Sequence, residues 1–108
     1  MAESQQVIAE FSMFPVDKGI SLSPYVARVL DVVDQSGIDY ELHAMGTILE
    51  GELEEVFAVI RRCHSVLEEE CDRIETIIKM DYRKGRHHQR HNKTEAVERE
   101  LGRRLRSK

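Results

Sequence analysis

The stretch Asp39 to Gly51, DYELHAMGTILEG, constrains this chain most, because it reads as two short extended segments meeting at Ala44-Met45-Gly46. Tyr40, Leu42 and Ala44 alternate with Glu41, His43 and Met45, the period of two that gives a strand one buried and one freer face. Thr47, Ile48 and Leu49 resume with strand formers, and Gly46 supplies the backbone freedom expected at a tight reversal. A helical pattern lies before this hairpin and another begins just after it.

Val7 to Phe14, VIAEFSMF, sets Val7, Ala9, Phe11 and Met13 against Ile8, Glu10, Ser12 and Phe14, a first strand. Its pairing should stop at Pro15, which has no amide to donate. Ser23-Pro24 begins a helix, the hydroxyl serving as cap and the proline standing where no donor is needed. Val26, Val29, Leu30 and Val33 form its apolar stripe, and Gly37 closes it with a left-handed cap. Gly51 opens a second helix, with Glu52, Glu54 and Glu55 near the positive end of its dipole. Leu53, Val56, Phe57, Ile60, His64 and Leu67 share one face of it, His64 as a packed histidine rather than a metal ligand. Arg73 to Arg83 alternates again, with Ile74, Thr76, Ile78, Met80 and Tyr82 on one side. The order β-α-β-β-α-β predicts an α+β, ferredoxin-like sandwich: a four-stranded antiparallel sheet with both helices on one face.

At 108 residues, 33% of them charged, the chain has room for one modest core. No apolar run approaches a membrane span, and MAESQQVIAEFSMF lacks the pattern of a secretion leader, so a cytoplasmic address is expected. Cys63 and Cys71, eight positions apart, are too distant along one helix for a disulfide and read as free, half-buried thiols. The net charge of −4 conceals an asymmetry: residues 1–82 hold 6 Lys/Arg against 17 Asp/Glu, and residues 83–108 hold 10 against 3. The chain therefore divides into a ferredoxin-like domain over residues 1–83, a basic His-rich linker over 84–93 and a helix over 94–108. In that helix Thr94 is the expected cap, and Val97, Leu101 and Leu105 make a stripe that docks on the body or on a neighbouring subunit.

Several chemistries fail on inventory. The His87, His88, His91 cluster has no nearby carboxylate or thiol and no helical pattern, so no metal site is assigned. Gly46 and Gly51 lack the Gly-Lys-Ser/Thr end of a phosphate loop. An RNA-recognition sheet needs paired aromatics, where this open face carries Glu10 and Glu75. No nucleophile has a base beside it, so a non-enzymatic role is expected. Small polar and acidic groups do gather near one end of the sheet: Ser12, Ser23, Thr47 and Glu50, with Glu10 along the first strand. Ser23 as a cap and Glu10 as a partner of Lys79 would account for two of them without a ligand.

The strings IAEFSMFPVDKGISLSPYVARVLDVV, SGIDYELHAMGTILEG and TIIKMDYRKG resemble, in this order and spacing, the YkoF-like family of small thiamine-binding proteins. Leu22-Ser23-Pro24-Tyr25 and Met45-Gly46-Thr47 with Glu50-Gly51 carry the likeness. The resemblance implies a ferredoxin-like fold, homodimers or homotetramers assembled through sheets, no cofactor, and binding of thiamine or its hydroxymethylpyrimidine without chemistry. It implies Glu50 or Glu10 as acceptor for the exocyclic amine, Ser12, Ser23, Thr47 and the Gly46 backbone as polar contacts, and Phe14 and Met45 as an apolar wall. The alternative reading is an interaction protein whose basic C-terminal tail binds an acidic partner or nucleic acid, though the acidic body makes nucleic acid the lesser choice.

Overall fold

The computed structural model describes residues 5–85 and 89–105, with residues 89–93 described by their backbone alone. The elements run β1 (Gln6–Pro15), α1 (Ser23–Ser36), β2 (Asp39–His43), β3 (Gly46–Glu52), α2 (Leu53–Glu68), β4 (Ile74–Tyr82) and α3 (Gln89–Leu101). The antiparallel sheet has the order β2-β3-β1-β4, and α1 and α2 pack side by side against one face of it. This is the expected ferredoxin-like arrangement.

The register shows which face each residue takes. Val7, Ala9 and Phe11 of β1 stand opposite Gly51, Leu49 and Thr47 of β3, and opposite Tyr82, Met80 and Ile78 of β4. The β1 members of these rows, with Leu49 and Thr47, are buried under the helices. Ile8, Glu10, Ser12 and Phe14 take the other face, as their alternation requires. Val29 and Val33 of α1 and Val56, Val59, Ile60, Cys63 and Leu67 of α2 complete the core.

Four local details differ from the sequence pattern. The N-cap of α1 is Leu22, whose carbonyl accepts from the Tyr25 and Val26 amides at 3.0 Å each, so Ser23 lies inside the first turn and does not cap. β3 runs on through Gly51 to Glu52, because its pairing with β1 extends to Gln6, and α2 starts at Leu53. The buried stripe of α2 is turned by about one residue, so Val59 and Cys63 are buried while Phe57 and His64 face outward. α3 begins at Gln89, before Thr94, and ends at Leu101, leaving Leu105 beyond it with its amide donating to Glu98. Gly37 closes α1 as expected, at φ 80°.

Replacing fully buried Leu49 with Ala should cost about 2–5 kcal/mol in urea unfolding, through lost transfer energy and a cavity. His64→Ala, on the outward face of α2, should change stability by less than about 0.5 kcal/mol.

Candidate ligand-binding site

β1 is longer than its neighbour β3. Its pairing with β3 ends at Phe11 and Thr47, while its pairing with β4 continues to Pro15 and Ile74. The overhang leaves a space roofed by the start of α1 and walled by the β2–β3 turn. That space is a cavity of about 210 Å³. Phe11, Met13, Leu22, Val26, Val29 and Leu42 make its apolar lining, and Thr47, only 3% exposed, adds a hydroxyl-bearing side chain.

Main-chain direction gives the cavity further polarity. A Cβ added at Gly46 would lie 2.9 Å from the Phe11 carbonyl oxygen, which places that carbonyl on the β3 side of β1. The Val16 amide donates to Arg73 on the β4 side. Alternate residues of a strand direct their main-chain groups the same way, so Met13, like Phe11, turns its N–H and C=O toward the β3 side. No strand among the described residues stands opposite Met13 there. One donor and one acceptor are thus presented side by side at the cavity.

The eight residues read from the sequence fall in three places. Ser12, Phe14, Met45, Gly46 and Thr47 line the cavity. Glu10 and Glu50 lie on the opposite sheet face, Glu10 across from Ile48 and Lys79, and Glu50, which is buried, across from Ile8 and Asp39. Ser23 is exposed in the first turn of α1 and does not reach the lining. Gly46 is not in the left-handed region, so its role is close approach to Phe11 rather than freedom in the turn.

His43 is a lining residue that alternation alone did not single out. Its Nδ1 accepts from the Met45 amide at 3.2 Å, which leaves the proton on Nε2 in the neutral ring. Nε2 lies 3.0 Å from Glu10 Oε2, in contact but not aligned as a hydrogen bond. His43 therefore links the turn at the cavity rim to the carboxylate on the far face. Behind the wall, the Cys63 thiol donates to the Val29 carbonyl at 3.6 Å, and burial pushes its pKa up to about 11. Among the described residues no cluster of His, Cys, Asp and Glu has metal-site geometry; the side chains of His87, His88 and His91 lie outside them.

The chain belongs to the thiamine-binding protein family, whose model matches residues 9–98. It is similar to the UPF0045 protein MJ1052 of Methanocaldococcus jannaschii, 34% identical over 93 residues that span 86% of this chain and 93% of that one. The crystal structure of that archaeal protein superimposes with a TM-score of 0.79 at 35% identity, covering 85% of this chain and 95% of that chain. The UPF0045 protein YqgV of Bacillus subtilis is 32% identical over 100 residues, 87% of this chain and 96% of its own. A Thermotoga maritima structure named for thiamine biosynthesis and salvage shares the fold, with a TM-score of 0.75 at 22% identity over 85% of this chain and 98% of that one.

Gly46→Ala should destabilise the fold by about 1–3 kcal/mol in urea unfolding, since the clash is with backbone and β1 and β3 must part. Cys63 should react with a thiol reagent in the native protein orders of magnitude more slowly than in denaturant, because burial holds it protonated.

Proposed function

We propose that this protein binds thiamine or its hydroxymethylpyrimidine half, without catalysing a reaction, in the cavity where β1 overruns β3. The observation that carries this reading is the pairing of a largely apolar space with the Met13 main-chain edge. An aminopyrimidine presents an exocyclic N–H donor beside a ring-nitrogen acceptor, the complement of a strand's C=O and N–H. The Met13 carbonyl accepts from the amine, its amide donates to the ring nitrogen, and Thr47 supplies a further polar contact. The ring lies between the β1 end and the α1 side chains Val26 and Val29, with Met45 and Phe14 at the rim.

Size supports one enclosed ring. A cavity of about 210 Å³ falls below the roughly 300–1,000 Å³ of pockets that enclose drug-sized ligands. The thiazolium half of thiamine then lies toward the turn, in the field of an acidic body. Glu10, in contact with His43 near the rim, is the carboxylate placed to favour that cation, while Glu50 lies buried on the far face. The subunits assemble as dimers or tetramers through their sheets, and the protein works as a carrier, buffer or sensor in the cytoplasm. Among the described residues no helix is long and apolar enough to cross a membrane.

Isothermal titration with thiamine and then with the hydroxymethylpyrimidine tests this. Both should bind saturably with similar affinity, because the shared pyrimidine is the part enclosed. Thr47→Val should weaken both about tenfold, the worth of one hydrogen bond to a buried group. Absence of heat from either ligand with the folded protein would refute the reading.

A further inference from the structure

We propose that His43 is a protonation-sensitive latch on the cavity wall, holding the β2–β3 turn in place while its ring is neutral and releasing it when the ring takes up a second proton. The inference rests on the proposed cavity reading only for its effect on a ligand; the latch itself belongs to the protein alone. β2 and β3 are joined by two residues, Ala44 and Met45, between the paired His43 and Gly46. Both line the cavity, and Met45 is 83% exposed, so packing does little to hold this corner. The Met45 amide lies outside the ladder and donates instead to His43 Nδ1, at 3.2 Å. The accepting ring is itself positioned from the far side. It lies across Gly46, where an added Cβ would stand 3.7 Å from its Cε1, and so reaches from β2 past β3 to β1, with Nε2 3.0 Å from Glu10 Oε2.

An imidazole nitrogen accepts a hydrogen bond only while it carries no proton. Nε2 already holds the first proton, so the second goes to Nδ1, and two N–H groups then face each other where one bond stood. The other side of the ring responds in the opposite sense, because an imidazolium is drawn more strongly than a neutral ring to the Glu10 carboxylate. The ring therefore stays with β1 and the turn lets go. The side chain is 31% exposed, which gives solvent protons direct access to it. Among the described residues the nearest charged groups on this face of the sheet are Glu10 of β1, Glu41 two residues earlier on β2, and Lys79 of β4, which stands beyond Glu10. From β3 the ring meets Gly46 and then Ile48, with Glu50 further along the same face. The α1 residues at the cavity, Leu22, Val26, Val29 and Leu30, carry no charge.

Amide and histidine-ring NMR spectra of the full chain, recorded without ligand from about pH 8 to about pH 5, test the latch. As the His43 ring titrates, the Met45 amide proton should move upfield along the same curve and gain the steeper temperature dependence of an amide that has lost its acceptor. His43→Asn is the control: its Oδ1 takes the place of Nδ1 and accepts from the amide two residues on, as asparagine does in turns, but binds no proton. In that variant the Met45 amide should stay constant over the same range. Isothermal titration with the hydroxymethylpyrimidine at both ends of the range then reads the cavity wall. Affinity should fall about fivefold more toward acid pH in the wild type than in His43→Asn, the worth of one hydrogen bond, and the ligand's own protonation cancels in the comparison. A Met45 amide that stays constant while the His43 ring titrates, or that moves equally in His43→Asn, would overturn the latch. Equal acid losses of affinity in the two proteins would overturn its hold on the cavity. Absence of binding by either protein, with the Met45 amide moving as expected, would refute the ligand reading and still support the latch. If His43→Asn fails to fold, the wild-type curves decide alone.

Discussion

Antiparallel pairing of β1 with neighbours on both sides is the constraint on which the rest of this structure depends. The strand contributes Val7, Ala9, Phe11 and Met13 to the core, and its register with β3 and β4 determines which of their residues join them. Its excess length over β3 creates the cavity. A shorter β1 would leave the same sheet with no pocket at that end, and a longer β3 would fill it. Gly46 is the point at which the two strands are held close, through van der Waals contact with the Phe11 carbonyl that no larger residue permits without displacement.

The sheet divides the polar groups by face, and with them their chemistry. Thr47 and the Met13 backbone face the helices in an apolar enclosure, where a hydrogen bond counts for more because water does not compete for it. Glu10, Lys79 and Asp81 lie on the open face, where solvent screens them. His43 touches both settings, through Met45 on one side and Glu10 on the other. In the proposed reading, a ligand in the cavity is recognised by backbone and hydroxyl, with carboxylates acting at longer range.

Much of this was legible in the sequence. Alternation gave four strands, and their order with two amphipathic helices left few topologies for a chain of this length. Ser12 and Thr47 stood out as polar groups near one end of the sheet, Phe14, Met45 and Gly46 came with the family resemblance, and all five line the cavity. Glu10 and Glu50 were harder to place, since a period of two separates faces but does not say which face holds the cavity. Ser23 resembled a cap by residue type, yet the cap position is set by where Leu22 directs its carbonyl. The Met13 main-chain edge has no side-chain signature at all. It exists only because two strands of unequal length are paired in a particular register.

The most direct test of the central claim is an amide chemical-shift map of the labelled protein titrated with the hydroxymethylpyrimidine. The account predicts the largest perturbations at Met13, Gly46 and Thr47, with the Met13 amide shifting as it donates to the ring nitrogen. Perturbations confined to Ile8, Glu10 and Lys79 would place the ligand on the open face of the sheet and contradict it.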